Sequence, residues 1–331
     1  PVQVVRDESH VGGDCADAPR VSILLAVYNG AKYLSETMDS VLAQSMSNWE
    51  LLVINDGSSD GSDALIRNYS DPRIRYFEQV NSGAASAILR GYNESTGEFI
   101  AFLDQDDIWL SDFLEMHLRR LEERKDLQAT FSWFKLIDSS GRPLGLHSQR
   151  HHGKVTFEEL LCDFTIGATS NVVMRRQAIE LAGGIDCEFQ RMYDLDLFLR
   201  ISRITHGCIE SIPSDLMLYR RHGSQMSSNY DALMEEWDRV FAKLRCIEPA
   251  VLKKQFPVAK SNAARYFARV AYEQMRYGVS LRLLGQGFMA APVSFLLDLR
   301  NWVTLGAASC GMVLPRSIHR QLEKAAGFDR G

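Results

Sequence analysis

EFIAFLDQDDIW, residues 98–109, decides how the rest of the chain is read. An apolar run, EFIAF, leads straight into three carboxylates, Asp104, Asp106 and Asp107, and then an aromatic, Trp109. An apolar run of this length bounded by polar residues reads as a buried strand. Three acids where such a strand emerges repel one another and cost free energy unless something positive sits among them. Hard oxygen ligands suit Mg²⁺ or Mn²⁺, and these ions commonly hold substrate phosphates as well. A solvated acidic turn capping the next helix has the same composition, so the neighbouring segments must decide.

Outward from this stretch the chain alternates strand and helix. VSILLAVYN (21–29) and WELLVIND (49–56) are apolar strands, the second ended by the turn-forming GSSDGS. Between them AKYLSETMDSVLAQ places Leu34, Met38, Val41 and Leu42 on one helical face. IRYFEQ (74–79) and ATFSWFKLID (129–138) read as further strands. The alternation predicts an α/β fold, a mostly parallel central sheet flanked by helices, with ligands at the carboxyl ends of the strands. Tyr28–Asn29, Asn55–Asp56–Gly57–Ser58 and Asp104–Asp107 all fall at such ends. Three strand ends with polar clusters favour a nucleotide crevice over chance acidic turns. TSNVVMRR (169–176) reads as a strand, Tyr193 to Arg203 as a helix, and IESIPSDLMLYRRH (209–222) as strand-like. From Ala232 the pattern is mainly helical. The chain thus divides into a loose arm (1–19), an α/β domain (20–230) and a helical C-terminal region (231–331).

With 37 Lys and Arg against 42 Asp and Glu in 331 residues, the net charge of −5 argues against a nucleic-acid partner. The cysteines Cys15, Cys162, Cys187, Cys208, Cys246 and Cys310 are scattered without a CxxC pair, as expected of free thiols in a reducing compartment. The sequence opens without a charged-then-apolar leader, so a cytoplasmic location is expected. The longest apolar stretch, 287–297, is interrupted by Asp298 and Arg300 well short of the ~20 residues of a span.

In their order, VSILLAVYNGAKYLSETMDSVLAQS, NWELLVINDGSSDGS and AFLDQDDIW resemble the successive signatures of family 2 glycosyltransferases of the GT-A fold. The similarity covers residues 20–230, and DQDDIW is similar to the branch with many bacterial rhamnosyltransferases of O-antigen and cell-wall glycan assembly. The resemblance implies a nucleoside-diphosphate sugar donor, with a UDP- or dTDP-sugar expected and dTDP-rhamnose the leading guess. It further implies a glycan or lipid-linked acceptor, a Mn²⁺ or Mg²⁺ cofactor and an inverting mechanism. By carry-over Val27, Tyr28 and Asn29 line the base pocket, and Asp56 accepts the imide N–H of uracil or thymine. Asn55 stands where an acid is more usual.

The DxD pattern maps onto Asp104-Gln105-Asp106 with Asp107 adjacent. Asp106 is the expected metal ligand, and Asp104 reaches ribose or metal-bound water. YRRHGSQMS (219–227) resembles the family's closing segment, placing His222 at the metal or diphosphate and Arg220–Arg221 at phosphate oxygens. The form EDxDLxxR is matched by Tyr193-Asp194-Leu195-Asp196-Leu197-Phe198-Leu199-Arg200, with Asp194 as base, Asp196 as support and Tyr193 in place of Glu. Residues two apart on a helix cannot face one another, so at most one of the two acids points at the acceptor. NSGAASAILRGYN keeps Asn81 and Gly83 of NxGxxxARNxG but has Ile88 and Leu89 at its Arg and Asn; Arg90 is near enough to substitute. Gly167 falls where the acceptor loop approaches the donor sugar.

Two rival readings stand beside this one: a sugar-nucleotide pyrophosphorylase, which would want a Gly-rich basic loop after the first strand, and a non-catalytic sugar-nucleotide-binding module. The C-terminal region interleaves basic and apolar residues. That suits a helix lying on an anionic membrane, a packed appendage or an oligomer surface alike, so oligomeric state stays open.

Overall fold

The computed structural model describes residues 18–205, 208–223, 225–226 and 229–313. The expected arm at 1–19 thus lies almost wholly outside the described residues, as do Cys15 and the basic stretch after residue 313.

The first half runs β1 (Val21–Val27), α1 (Leu34–Leu42), β2 (Trp49–Asn55), α2 (Ser62–Arg67), β3 (Ile74–Glu78), α3 (Ala84–Glu94), β4 (Phe99–Asp104), β5 (Ile108–Trp109) and α4 (Phe113–Glu123). Then follow β6 (Ala129–Ile137), β7 (Pro143–His147), β8 (Gly153–Val155), α5 (Phe157–Cys162), β9 (Val172–Arg175), α6 (Arg176–Leu181), α7 (Tyr193–Ile204) and β10 (Ile209–Arg220). Five helices close the described chain: α8 (Tyr230–Ile247), α9 (Pro249–Glu273), α10 (Tyr277–Ala290), α11 (Pro292–Leu297) and α12 (Leu299–Val313).

One sheet carries the fold, in the order β3-β2-β1-β4-β9-β6-β10-β5. β3, β2, β1 and β4 run parallel, and so do β6 and β10. β9 lies antiparallel between β4 and β6. Residues of β1 alternate between two cores, as a pleated strand requires. Ile23, Leu25 and Val27 pack with Leu34, Met38 and Val41 of α1 on one face. Leu24 packs with Ala87 and Ile88 of α3 on the other.

The sequence reading of 169–176 as one strand is corrected at its start. Thr169–Asn171 form a tight helical turn before β9. Their polar side chains have cross-strand work there: Ser170 Oγ accepts the Asp104 N–H at 3.0 Å, and Asn171 Nδ2 donates to the carbonyls of Ser132 (2.8 Å) and Ile166 (2.9 Å).

The C-terminal helices are continuous with the main core. Trp237, Val240 and Phe241 of α8 and Phe267 of α9 share one apolar cluster with Leu160 of α5 and Tyr193 and Phe198 of α7. Glu236 of α8 accepts the N–H groups of Arg191 (2.7 Å) and Met192 (3.2 Å), donors just before α7 that the helix itself does not pair. No helix among the described residues is long and apolar enough to cross a membrane.

Candidate active site

A cleft of about 560 Å³ opens at the carboxyl ends of β1 and β4. Parallel strands end there together, so their terminal polar residues converge on one crevice. Val27, Tyr28, Asp56, Asn81 and Gly83 line it on the β1–β2 side; Asp104, Asp106, Gly167, Asp194 and His222 line the rest. Gln105 joins two strand ends, accepting from Tyr28 N at 2.9 Å and donating to Tyr28 O at 3.1 Å.

The Asp56 carboxylate is already engaged. It accepts from Gln79 Nε2 (2.8 Å), Ser82 N (2.8 Å) and Gly83 N (2.9 Å), which draws the 79–83 loop over the cleft. Two carboxylate oxygens offer about four acceptor positions, so one remains for a base N–H. Gly83 has φ +89°, a backbone conformation that side-chain-bearing residues rarely adopt, so the path of the loop favours glycine. Gly167, at φ +83°, also needs its glycine.

At the acid loop the three aspartates part company. Asp106 Oδ2 lies 2.6 Å from His222 Nε2, and the His222 ring packs against Tyr33 in a tilted contact with centroids 4.8 Å apart. Burial, with Asp106 and Asp194 nearby, pushes the Asp104 carboxyl up to about 7. Asp107 is fully buried and accepts the Arg220 N–H at 3.1 Å. It is absent from the cleft lining, so its expected role as a metal ligand is corrected to one of bracing the loop.

Arg220 is corrected in the same way. It is buried, with its guanidinium on the Asp106 carbonyl (3.0 Å) and on Glu36 (2.7 Å), and it fixes the acid loop from behind. Arg221 faces a second cavity. Arg90 donates to the Glu78 carbonyl at 2.6 Å and lies over Phe77, so it does not fill the place of the missing arginine. Asn29, at φ +50°, turns its side chain outward to accept Ser59 N at 2.8 Å and shapes the 57–60 turn.

Asp194 and Asp196 diverge as helical spacing requires. Asp194 lines the cleft, its carboxylate held by Thr169 Oγ1 (2.6 Å) and Leu195 N (2.7 Å). Burial raises its pKa. Asp196 is fully buried away from the cleft, between Arg200 (2.6 Å) and Lys243 (2.8 Å). There it anchors α7 against α8, a position that suits the supporting place it was expected to take and does not reach the cleft. Tyr193 lines the cleft as well, and burial together with Asp104 and Asp194 raises its phenol.

Thr169 and Arg191 were missed by sequence reasoning. Thr169 sits in the same TIGATSN segment as Gly167, and an isolated hydroxyl gives no signal in sequence. Arg191 is the single Lys or Arg side chain among the described cleft lining. It stands three residues before Asp194 and could have been noticed there.

Among the described residues no group of three His, Cys, Asp or Glu side chains is gathered for a metal. The Asp106–His222 pair with Asp104 nearby still fits a divalent ion, because Mg²⁺ and Mn²⁺ sites take one or two carboxylates and leave positions for phosphate and water.

Comparison with known proteins places this geometry. Residues 22–181 match the family model described as Glycosyl transferase family 2. An Escherichia coli protein, UDP-Glc:alpha-D-GlcNAc-diphosphoundecaprenol beta-1,3-glucosyltransferase WfgD, is 30% identical over 222 residues, spanning 66% of this chain and 84% of the relative. An uncharacterized glycosyltransferase of Rickettsia bellii is 26% identical over 318 residues, 92% of this chain but 45% of the relative's length. Among solved structures, Staphylococcus aureus TarS 1-349 in complex with UDP superposes with TM-score 0.56 at 14% identity, over 94% of this chain and 93% of that one. Pyrobaculum calidifontis mannosyltransferase PcManGT in complex with GDP-Man and Mn²⁺ gives 0.57 at 16% identity, over 96% and 87%. The sheet with its flanking helices is therefore the GT-A fold. The chain belongs to glycosyl transferase family 2.

Proposed function

We propose that the chain transfers a single sugar from a nucleoside diphosphate to an acceptor hydroxyl with inversion, in the synthesis of a surface polysaccharide. The observation that carries this reading is the position of Asp194. It is a half-buried carboxylate fixed by Thr169 in the same cleft as Asp104, Asp106 and His222. Burial raises its affinity for a proton, which suits a general base. Asp194 accepts the proton of the acceptor hydroxyl as that oxygen bonds to the anomeric carbon. The glycosidic bond to the nucleoside diphosphate breaks on the opposite side.

Asp106 and His222 would hold a divalent cation, with Asp104 beside them; when bound it neutralises charge growing on the leaving diphosphate. Arg191 at the cleft supplies a guanidinium for the same oxygens in place of the family arginine. Asp56, with an acceptor position left for a base N–H, favours uridine or thymidine over cytidine, whose N3 is an acceptor, and dTDP-rhamnose is the first donor to try. Exposed Val293, Leu296, Leu297, Leu299, Trp302 and Val303 on α11 and α12 support peripheral contact with a membrane, where a lipid-linked acceptor resides.

The test is incubation of the chain with UDP- and dTDP-sugars and Mn²⁺, with the product anomer read by proton NMR. Transfer with the anomeric configuration reversed supports the proposal. Retained configuration, or release of a sugar 1-phosphate, would sink it.

A further inference from the structure

A second cavity of about 340 Å³ opens between the sheet and α9. Phe134 and Leu136 of β6 and Val270 of α9 form apolar wall, and four guanidiniums, Arg221, Arg265, Arg269 and Arg300, converge on it. It shares Asp163, Phe164, Gly167 and Tyr266 with the catalytic cleft, so the two cavities adjoin along these residues.

Among the described residues the positive charges here outnumber the negative. Among the described residues three carboxylates, Asp163, Glu273 and Asp298, face the four guanidiniums, with close contacts at Arg269–Glu273 (2.9 Å) and Arg300–Asp298 (2.8 Å). Asp163 stands 3.7 Å from Arg265 and 3.8 Å from Arg300, Asp298 stands 3.5 Å from Arg265, and Glu273 stands 4.0 Å from Arg221. The Arg221 Nε is buried without a hydrogen-bond partner, and the Arg265 Nε has only its 3.5 Å contact with Asp298. Burial, with Arg300 and Arg269 close by, destabilises the charge of Arg265. Two inner arginines (side chains 17% and 8% exposed) and two rim arginines (50% and 57%) make a graded positive funnel. The arginines that line the cavity offer charged N–H donors to an oxyanion with several acceptor oxygens.

We infer that this cavity binds the phosphate or diphosphate of the acceptor, so that its sugar hydroxyl extends past Gly167 to Asp194. The inference rests on the transfer reading above and adds the chemical class of the acceptor. Leu297, Leu299 and Trp302 lie exposed on either side of Arg300 in the chain, which suits a phosphate carried on a lipid.

The experiment is calorimetry on the full chain in chelator, with inorganic pyrophosphate and farnesyl diphosphate as separate probes. Without metal the catalytic cleft is acidic and repels both, so binding reports on the arginine cavity. Arg269→Gln with Arg300→Gln removes only rim side chains, and an unchanged melting temperature checks the fold. The expected result is pyrophosphate binding that weakens about tenfold or more in the double variant, while Asp106→Asn leaves it intact. Tighter binding of farnesyl diphosphate than of pyrophosphate assigns the phosphate to a lipid; equal binding assigns it to a soluble acceptor. Absence of pyrophosphate binding, or binding that survives the double substitution, overturns the inference. UDP affinity in Mn²⁺, measured in parallel, reports on the donor site alone, so failure of the transfer reading shows separately.

Discussion

Asp194 and Asp104 show how burial and charge set the chemistry of single residues here. Replacement of the family's Glu by Tyr193 removes like-charge pressure on Asp194, and from sequence alone activity should persist into mildly acidic pH. The structure supplies the missing shift by another route, since burial raises Asp194 directly. A base must be deprotonated to act, so kcat should fall with decreasing pH at a higher pH than an ordinary carboxylate would give. A pH–rate profile with saturating donor checks this; a rate flat down to the ordinary Asp range (~4) would contradict it. Asp104, pushed up to about 7 in the fold, keeps its proton where an unfolded aspartate, with a pKa of ~3.9, has lost it. The folded state thus binds more protons between these values, and stability in chelator should fall as pH rises through that window. Asp104→Asn should flatten the fall. Thermal melts of both proteins across pH would show it, and parallel curves would refute it.

Helix α7 works because α8 holds its first turn. Glu236 accepts the N–H groups of Arg191 and Met192, and Asp196 is clamped by Arg200 and Lys243. Glu236→Ala should cost ~1–3 kcal/mol of stability by leaving donors unsatisfied, and kcat should drop because Asp194 is no longer aimed. Denaturant titration with parallel kinetics tests this, and normal values for both would show that α8 is a bystander. The sequence disclosed these elements unequally. Apolar runs such as VSILLAV and WELLVIN announce buried strands, and Asp56, Asp106, Asp194 and His222 were legible because each ends a strand or begins a helix in a recognisable order. Asp107 and Arg220 read as site residues for the same reason, yet their side chains turn inward. Which way a side chain faces at the end of a strand depends on what packs behind it, here Glu36 of α1 and the backbone of β10, and spacing in sequence does not carry that. The clamp from α8 was equally hidden, since a helical period identifies a buried face without naming its partner.

At the scale of the molecule, the C-terminal helices serve two surfaces. α8 and α9 complete the core through Trp237, Phe241 and Phe267, so a chain cut near residue 245 would lose packing along with any membrane contact. Point changes are the cleaner probe. Leu297→Ser with Trp302→Ser, both at exposed positions, should leave the melting temperature within a few degrees and shift the protein from floating to unbound on anionic liposomes. Equal flotation of both would remove the membrane from the account. The central claim is that this cleft transfers sugar with Asp194 as its base, and paired kinetics of Asp194→Asn and Asp196→Asn test it most directly. The first should lower kcat by ~10²–10⁴-fold with donor affinity unchanged. The second should lower stability by ~3–5 kcal/mol, as expected for a broken buried ion pair, while molecules that remain folded turn over at near-normal rate. A dead Asp196→Asn beside an active Asp194→Asn would contradict the account.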